Sequence, residues 1–258
     1  MSFAELPTTY TLRSWTVGWV IRLGSQALFF VLLGRLTGAT GRLEYMLVGN
    51  SVAVVAMETM FVSATAVTER FQGTFPLLVV SPANMGLVYL GRGLHWPASG
   101  LASSFAVLSA LSLVFSSPWH WWQVVLALPL LVLVAVSTYC YACLIAALSL
   151  RNVKFRTLYP ETGALLLTAF CGVNVSTSFW PEPLHWLAQL PLHWLAQLLP
   201  LTHGLEAVRH LLNGGAASSV LLQAGLEIGC AALWAGLTLL LFERIVAAGR
   251  RDGSLGFS

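Results

Sequence analysis

The chain has 258 residues, of which 57% are hydrophobic and 9% charged, and its mean hydropathy is +0.78. Soluble domains carry about 25% charged residues, and a soluble fold of this length has no means of covering so much apolar surface, so lipid is the expected solvent. The formal charge of +3 rests on 13 basic residues dispersed along the chain, which form no patch or stripe of the kind nucleic acid requires.

In chain order, the N-terminal MSFAELPTTYTLRSW lacks a basic region followed by a short apolar run and a small-residue cleavage site, so no cleaved signal peptide is expected. A first span falls at about 18–36, with Arg22 and Arg35 snorkelling toward the interfaces. A second, at 45–67, is apolar apart from Glu58. Residues 69–92 carry Gly73, Pro76 and Pro82 and predict a short broken helix at the cytoplasmic surface. Between Arg92 and Arg151 lie 58 residues without a charge, too many for one helix across a core of ~30 Å. Pro118, with Trp119, Trp121 and Trp122 suited to an interface, divides them into spans at 94–115 and 123–149. The charge-free stretch from Thr162 to Pro181 predicts a fifth span at 161–180, and residues 219–242, apolar apart from Glu227, a sixth.

Between the last two spans, the octapeptide PLHWLAQL at 183–190 is copied without change at 191–198. Each copy is about two helical turns, too short to cross, and Pro191 interrupts them. A re-entrant helix pair at 183–199, dipping into the outer leaflet and returning, is the expectation.

Six spans place both termini on one side. With the termini cytoplasmic, the inside holds Arg13, Arg22, Arg70, Arg92, Arg151, Lys154, Arg156, Arg244, Arg250 and Arg251, and the outside only Arg35, Arg42 and Arg209. That asymmetry predicts N-in, C-in. The fold class is therefore an all-α polytopic membrane protein, organised as a single transmembrane domain over residues 1–258.

Motifs narrow the chemistry. The only lysine, Lys154, follows Val153, so a phosphate-binding Gly-Lys-Ser/Thr loop is absent and any ATP hydrolysis belongs to a partner. The six histidines show no helical ligand pair, and His185 and His193 are one residue repeated by the octapeptide, so no metal is expected. Cys140, Cys143, Cys171 and Cys230 all sit in apolar stretches and read as buried free thiols. Glu58 and Glu227 are costly acids inside spans, either hydrogen-bonded to a neighbouring helix or part of a transport path. Gly225 and Gly229 flank Glu227 in a small-xxx-small pattern that permits close helix packing.

Thr68-Glu69-Arg70-Phe-Gln-Gly73-Thr74, followed by Ser81-Pro82 and Gly91-Arg92, resembles the cytoplasmic signature of type-2 ABC transporter permeases. Pro200-Leu201-Thr202 with Glu206-Ala207-Val208-Arg209 is similar to that family's segment before the last span. The resemblance implies a coupling segment at 69–85, with Glu69, Arg70, Gly73, Thr74, Ser81 and Pro82 seated on a separate ABC ATPase, and an interfacial helix at about 3–16. It implies two permease chains, expected as a homodimer in the bacterial inner membrane among its lipids, and ATP with magnesium on the ATPase while this chain binds no cofactor. The outer gate would include Trp186, Trp194, Pro200, Glu206 and Arg209. Phe75-Pro76 stands where relatives commonly carry an acid, and the octapeptide doubling lengthens the outer segment.

The expected function is the membrane subunit of an exporter for an amphipathic or lipid-like substrate, such as an antibiotic, drug or glycolipid. Its path would run between the second and fifth spans past Glu58, Phe61, Phe170 and Asn174. A proton-coupled secondary transporter using Glu58 and Glu227 is one alternative. An intramembrane lipid-modifying enzyme using His203 and Glu206, i and i+3 on one helix face, is another, although a short helix capped at Thr202 explains the same residues. Single cysteines placed along 184–198 should be partly shielded from impermeant thiol reagents; uniform labelling along that stretch would count against re-entry.

Overall fold

The computed structural model describes residues 17–19, 21, 24, 25, 28, 32, 40–65, 85–114, 119–174 and 193–252. All regular structure among them is helical: α1 (Thr40–Met60), α2 (Met85–Arg92), α3 (His95–Val114), α4 (Trp121–Leu126), α5 (Leu128–Arg151), α6 (Leu158–Phe170), α7 (His193–Leu198), α8 (Thr202–Leu212) and α9 (Ala217–Asp252), with one 3₁₀ turn at Val153–Phe155. Four stretches are long and apolar enough to cross a membrane: Glu44–Thr65, Leu90–Leu113, Trp121–Arg151 and Ala217–Ile245. They match the second, third, fourth and sixth spans expected from the charge-free runs. Of the first span, the described residues between 17 and 32 are helical, and the Trp19 indole donates to Ser103 Oγ on α3 at 2.7 Å. The coupling segment, apart from Met85 at the start of α2, and the first octapeptide copy lie outside the described residues.

α5 is the hub of the bundle. It packs against α9, α1, α3, α6 and α8, and its side chains from Leu130 to Leu150 are buried on nearly every face. Pro129 sits in its first turn, where a missing N–H costs nothing, and Ala127 keeps right-handed backbone so that α4 runs on into α5. Hydroxyls inside the apolar bundle return to their own helices: Ser51 to Leu47, Thr138 to Val134 and Ser149 to Ile145. Such back-bonding satisfies a hydroxyl where no water is at hand. Other hydroxyls cross between helices, among them Ser104 to the Ser51 carbonyl at 2.7 Å and Thr238 to the Cys140 carbonyl at 2.8 Å. The four cysteines are free and buried.

One sequence expectation changes. The fifth span was placed at 161–180, but α6 starts earlier, at Leu158, and stops at Phe170, where Gly172 turns the backbone to φ 70°. Thirteen residues reach only about 20 Å, short of a crossing. Of the re-entrant pair expected at 183–199, the first copy and the junction lie outside the described residues; His193–Leu198 of the second copy forms α7, the chain turns at 199–201, and α8 continues from there to the turn before α9.

Gly225 and Gly229 lie on the outward face of α9, where an added Cβ would meet nothing within 4 Å, so they pack against no other described helix of this chain. Gly49 is the opposite case. A Cβ there would overlap the Val173 carbonyl and stand 2.9 Å from Arg209 Nη2, so α1 approaches the end of α6 only because this residue is glycine. Gly49→Ala should therefore lower the stability of the purified chain by about 1–3 kcal/mol, seen as a depressed unfolding temperature in detergent. Gly225→Ala and Gly229→Ala should leave it unchanged within ~0.5 kcal/mol.

Candidate functional site

The site lies where the chain bends between α7 and α8 against the inner face of α9. A break in a helix frees carbonyls on one side and N–H groups on the other, and in an apolar interior each must find a partner. The N–H groups at the start of α8 find Glu227, which is fully buried on α9. Its Oε1 accepts the Leu201 N–H at 3.1 Å and its Oε2 the Gly204 N–H at 2.9 Å. Ser137 of α5 donates its hydroxyl to the same carboxylate. A carboxylate at a helix N-terminus is favoured both by these donors and by the helix dipole. Gly204 is required for the approach, since a Cβ there would overlap Val134 and sit 3.3 Å from Glu227 Cδ.

The freed carbonyls of α7 are taken by side chains. Thr202 donates to the Ala196 carbonyl at 2.6 Å, and the Trp234 indole to the Leu198 carbonyl at 2.8 Å. His203 places Nε2 3.1 Å from the Gln197 carbonyl and Nδ1 2.8 Å from Gln223 Oε1. Glu227 and Trp234 stand about 15 and 25 Å along α9 from Ala217, so the bend reaches the middle of the last span rather than its outer edge.

The far half of α8 is fixed by Arg209, buried within the bundle. Its Nη2 donates to the Gly172 carbonyl at 3.0 Å, the Val173 carbonyl at 3.2 Å and the Tyr45 carbonyl at 3.3 Å, and Nη1 donates to Glu206 at 3.0 Å. The guanidinium lies 3.4 Å from the centre of the Tyr45 ring, whose hydroxyl donates to the same Gly172 carbonyl. A cation thus caps the C-terminal end of α6 and stacks on an aromatic face. Gln123 at the start of α5's lead-in helix α4 donates to the Leu211 and Leu212 carbonyls at 3.3 Å, and Gly214, with φ 68°, closes α8.

The structure gathers the sequence candidates unevenly. Pro200, Glu206, Arg209 and Glu227 belong to this one assembly, and Cys171 donates its thiol toward the Pro200 carbonyl at 3.6 Å. Trp194 is exposed on α7, and Trp186 lies outside the described residues together with Glu69, Arg70, Gly73, Thr74, Ser81 and Pro82. The four path candidates have the following neighbours. Buried Glu58 faces Gly100 of α3, Phe61 stacks on Trp96 of α3 at 5.2 Å, Phe170 packs on the core, and Asn174 accepts from Asn50 at 2.8 Å. The cap of α8 also differs from expectation: the helix begins at Thr202, but its side-chain cap comes from Glu227, not Thr202.

Ser137, Tyr45, Gly204 and Trp234 were missed by sequence reasoning. Only Trp234 carried a signal, being seven residues from Glu227 and so on the same face of α9. Among the described residues no group of His, Cys, Asp and Glu could hold a metal ion. No protein family, curated protein or solved structure matches the chain. The arrangement is a backbone break held by one buried acid and one buried base, with every bond internal to the chain.

Glu227→Ala removes the acceptor from two buried N–H groups and should cost about 2–5 kcal/mol, with Glu227→Gln intermediate. Arg209→Lys, which loses the planar fork, should destabilise nearly as much as Arg209→Ala, whereas Glu206→Ala, removing a half-exposed partner, should cost less than ~1 kcal/mol. Unfolding midpoints of the five variants in one detergent check the order.

Proposed function

We propose that this chain is the membrane subunit of an ATP-driven exporter for an amphipathic or lipid-like substrate, working with a separate ATPase and a second permease chain in the bacterial inner membrane. The observation that carries the reading is the α7–α8 break. The residues that resemble the type-2 permease segment before the last span, Pro200 to Thr202 and Glu206 to Arg209, are the ones that form a bend at mid-depth and fasten it to α9, α6 and α1. A discontinuous helix at that depth places non-helical backbone where a path through the membrane must pass. On this reading the ATPase engages residues 69–85, carries the ATP and magnesium, and transmits its closure to the bundle through the second and third spans.

The bonds of the site favour this over the two alternatives. Glu227 meets two N–H groups that can only donate, so its carboxylate serves as an acceptor in a cap, a poor post for a proton carrier in secondary transport. His203 is engaged by Gln197 and Gln223, and Glu206 by Arg209, so neither is poised to act on a lipid.

The test is reconstitution with an ABC ATPase that co-purifies with this chain. ATPase stimulation and substrate export should both fall at least about tenfold in Glu69→Ala and Gly73→Pro, with the chain still inserted and folded. Unchanged stimulation and export in both variants would overturn the coupling assignment, and substrate flux driven by a proton gradient without nucleotide would replace it with secondary transport.

A further inference from the structure

The bend between α7 and α8 holds two opposed features. Leu201, with φ 97° and ψ −35°, is the only non-glycine residue at positive φ among the described residues, and it lies outside the small left-handed well. Its side chain is fully buried, so nothing about solvent explains the conformation. Backbone of this kind persists only where its surroundings hold it. The holding group is on α9: Glu227 takes the Leu201 N–H at 3.1 Å, while Trp234, two turns further along the same face, takes the Leu198 carbonyl at 2.8 Å. Cys230 lies between them and donates toward the Gln197 carbonyl at 3.5 Å. The end of α7 is therefore tied down by side chains on both sides of one strained residue.

We propose that this bend is a strained latch, in which Glu227 clamps Leu201 at positive φ and thereby seats α7 on α9, and in which loss of the clamp lets residues 199–201 relax and α7 part from α9. A clamp working against a backbone strain gives two discrete arrangements instead of a graded motion. α8 stays in place through the change, because Arg209 and Gln123 hold its other half independently of Glu227. The latch needs neither nucleotide nor partner chain, so it stands or fails separately from the exporter reading.

The test is a distance measurement on the full chain in nanodiscs, by pulsed dipolar spectroscopy between nitroxides at Leu195 and Leu222, both exposed, with the native cysteines replaced by serine. The parent protein should give one distance population, and Glu227→Gln should add a second, longer one. Adding Leu201→Gly to Glu227→Gln should shrink the second population relative to the first by about tenfold, because glycine tolerates positive φ and the relaxation loses its drive. A merely structural role predicts the opposite sign, since Leu201→Gly also removes a buried side chain and would loosen the bend further. The proposal is overturned if Glu227→Gln keeps the parent distribution, or if the double variant retains or enlarges the second population. Should Glu227→Gln fail to fold, Glu227→Asp, whose shorter side chain draws the carboxyl group back from the Leu201 N–H, serves in its place with the same two outcomes.

Discussion

A buried carboxylate facing the start of a helix is the constraint from which the rest of this structure follows. The chain breaks between α7 and α8 in the middle of an apolar bundle, and each unpaired backbone group there costs several kcal/mol if left unmet. Glu227 meets two of them with one side chain. Its position dictates its neighbours: Gly204 because nothing larger lets the helix end approach, Ser137 because the carboxylate faces α5, and Trp234 because the same face of α9 must also serve the carbonyls of α7. The tight packing of α5 against α9 is the frame that keeps these groups in register.

Arg209 is the complement at the other half of α8. Glu227 places two acceptor oxygens at the N-terminus of α8, and Arg209 places donors at the end of α6, so each buried side chain answers the unpaired backbone groups of a helix end. Removing either leaves the helix end it serves unsatisfied in an apolar setting, which is why a polar side chain that costs desolvation on burial is still required once the break exists. The acid and base that read as transport groups in isolation are thus fastening groups, and motion, where it occurs, falls to the short α7 and the strained residue beside it. The exposed apolar faces of α9 and α6, including Leu222, Leu226 and Leu165, are left to lipid or to another chain.

The all-helical class, the four helices long and apolar enough to cross a membrane and the break before the last of them were legible in the sequence because they depend on local composition: charge-free runs, prolines and short apolar segments. What was not legible depends on partners far along the chain. Between Thr162 and Pro181 the one local mark of the end of α6 is Gly172, and that end is held by Tyr45 and Arg209, which donate to the Gly172 carbonyl from 127 and 37 residues away. Thr202 looked like its own helix cap, and the real cap sits 25 residues downstream on another helix. Glu58 and Phe61 were grouped with Phe170 and Asn174 by span, but the face each presents is decided by packing, and α3 claims the first two. The octapeptide copy drew attention to Pro191, whereas the turn at 199–201 depends on Glu227, Cys230 and Trp234 of α9, far along the chain.

The central claim is that backbone at 199–204 sits at the depth of Glu227 and Trp234, held inside the bundle. The most direct measurement is a nitroxide scan from 193 to 216 in nanodiscs, comparing collision with oxygen against collision with a polar nickel reagent, and referenced to the same scan along 217–245. The structure requires the depth profile to peak near 199–204, at values matching positions 227–234, and to fall toward the surface by 213. A flat, shallow profile across 193–212, as for a helix lying along the membrane surface, would contradict it.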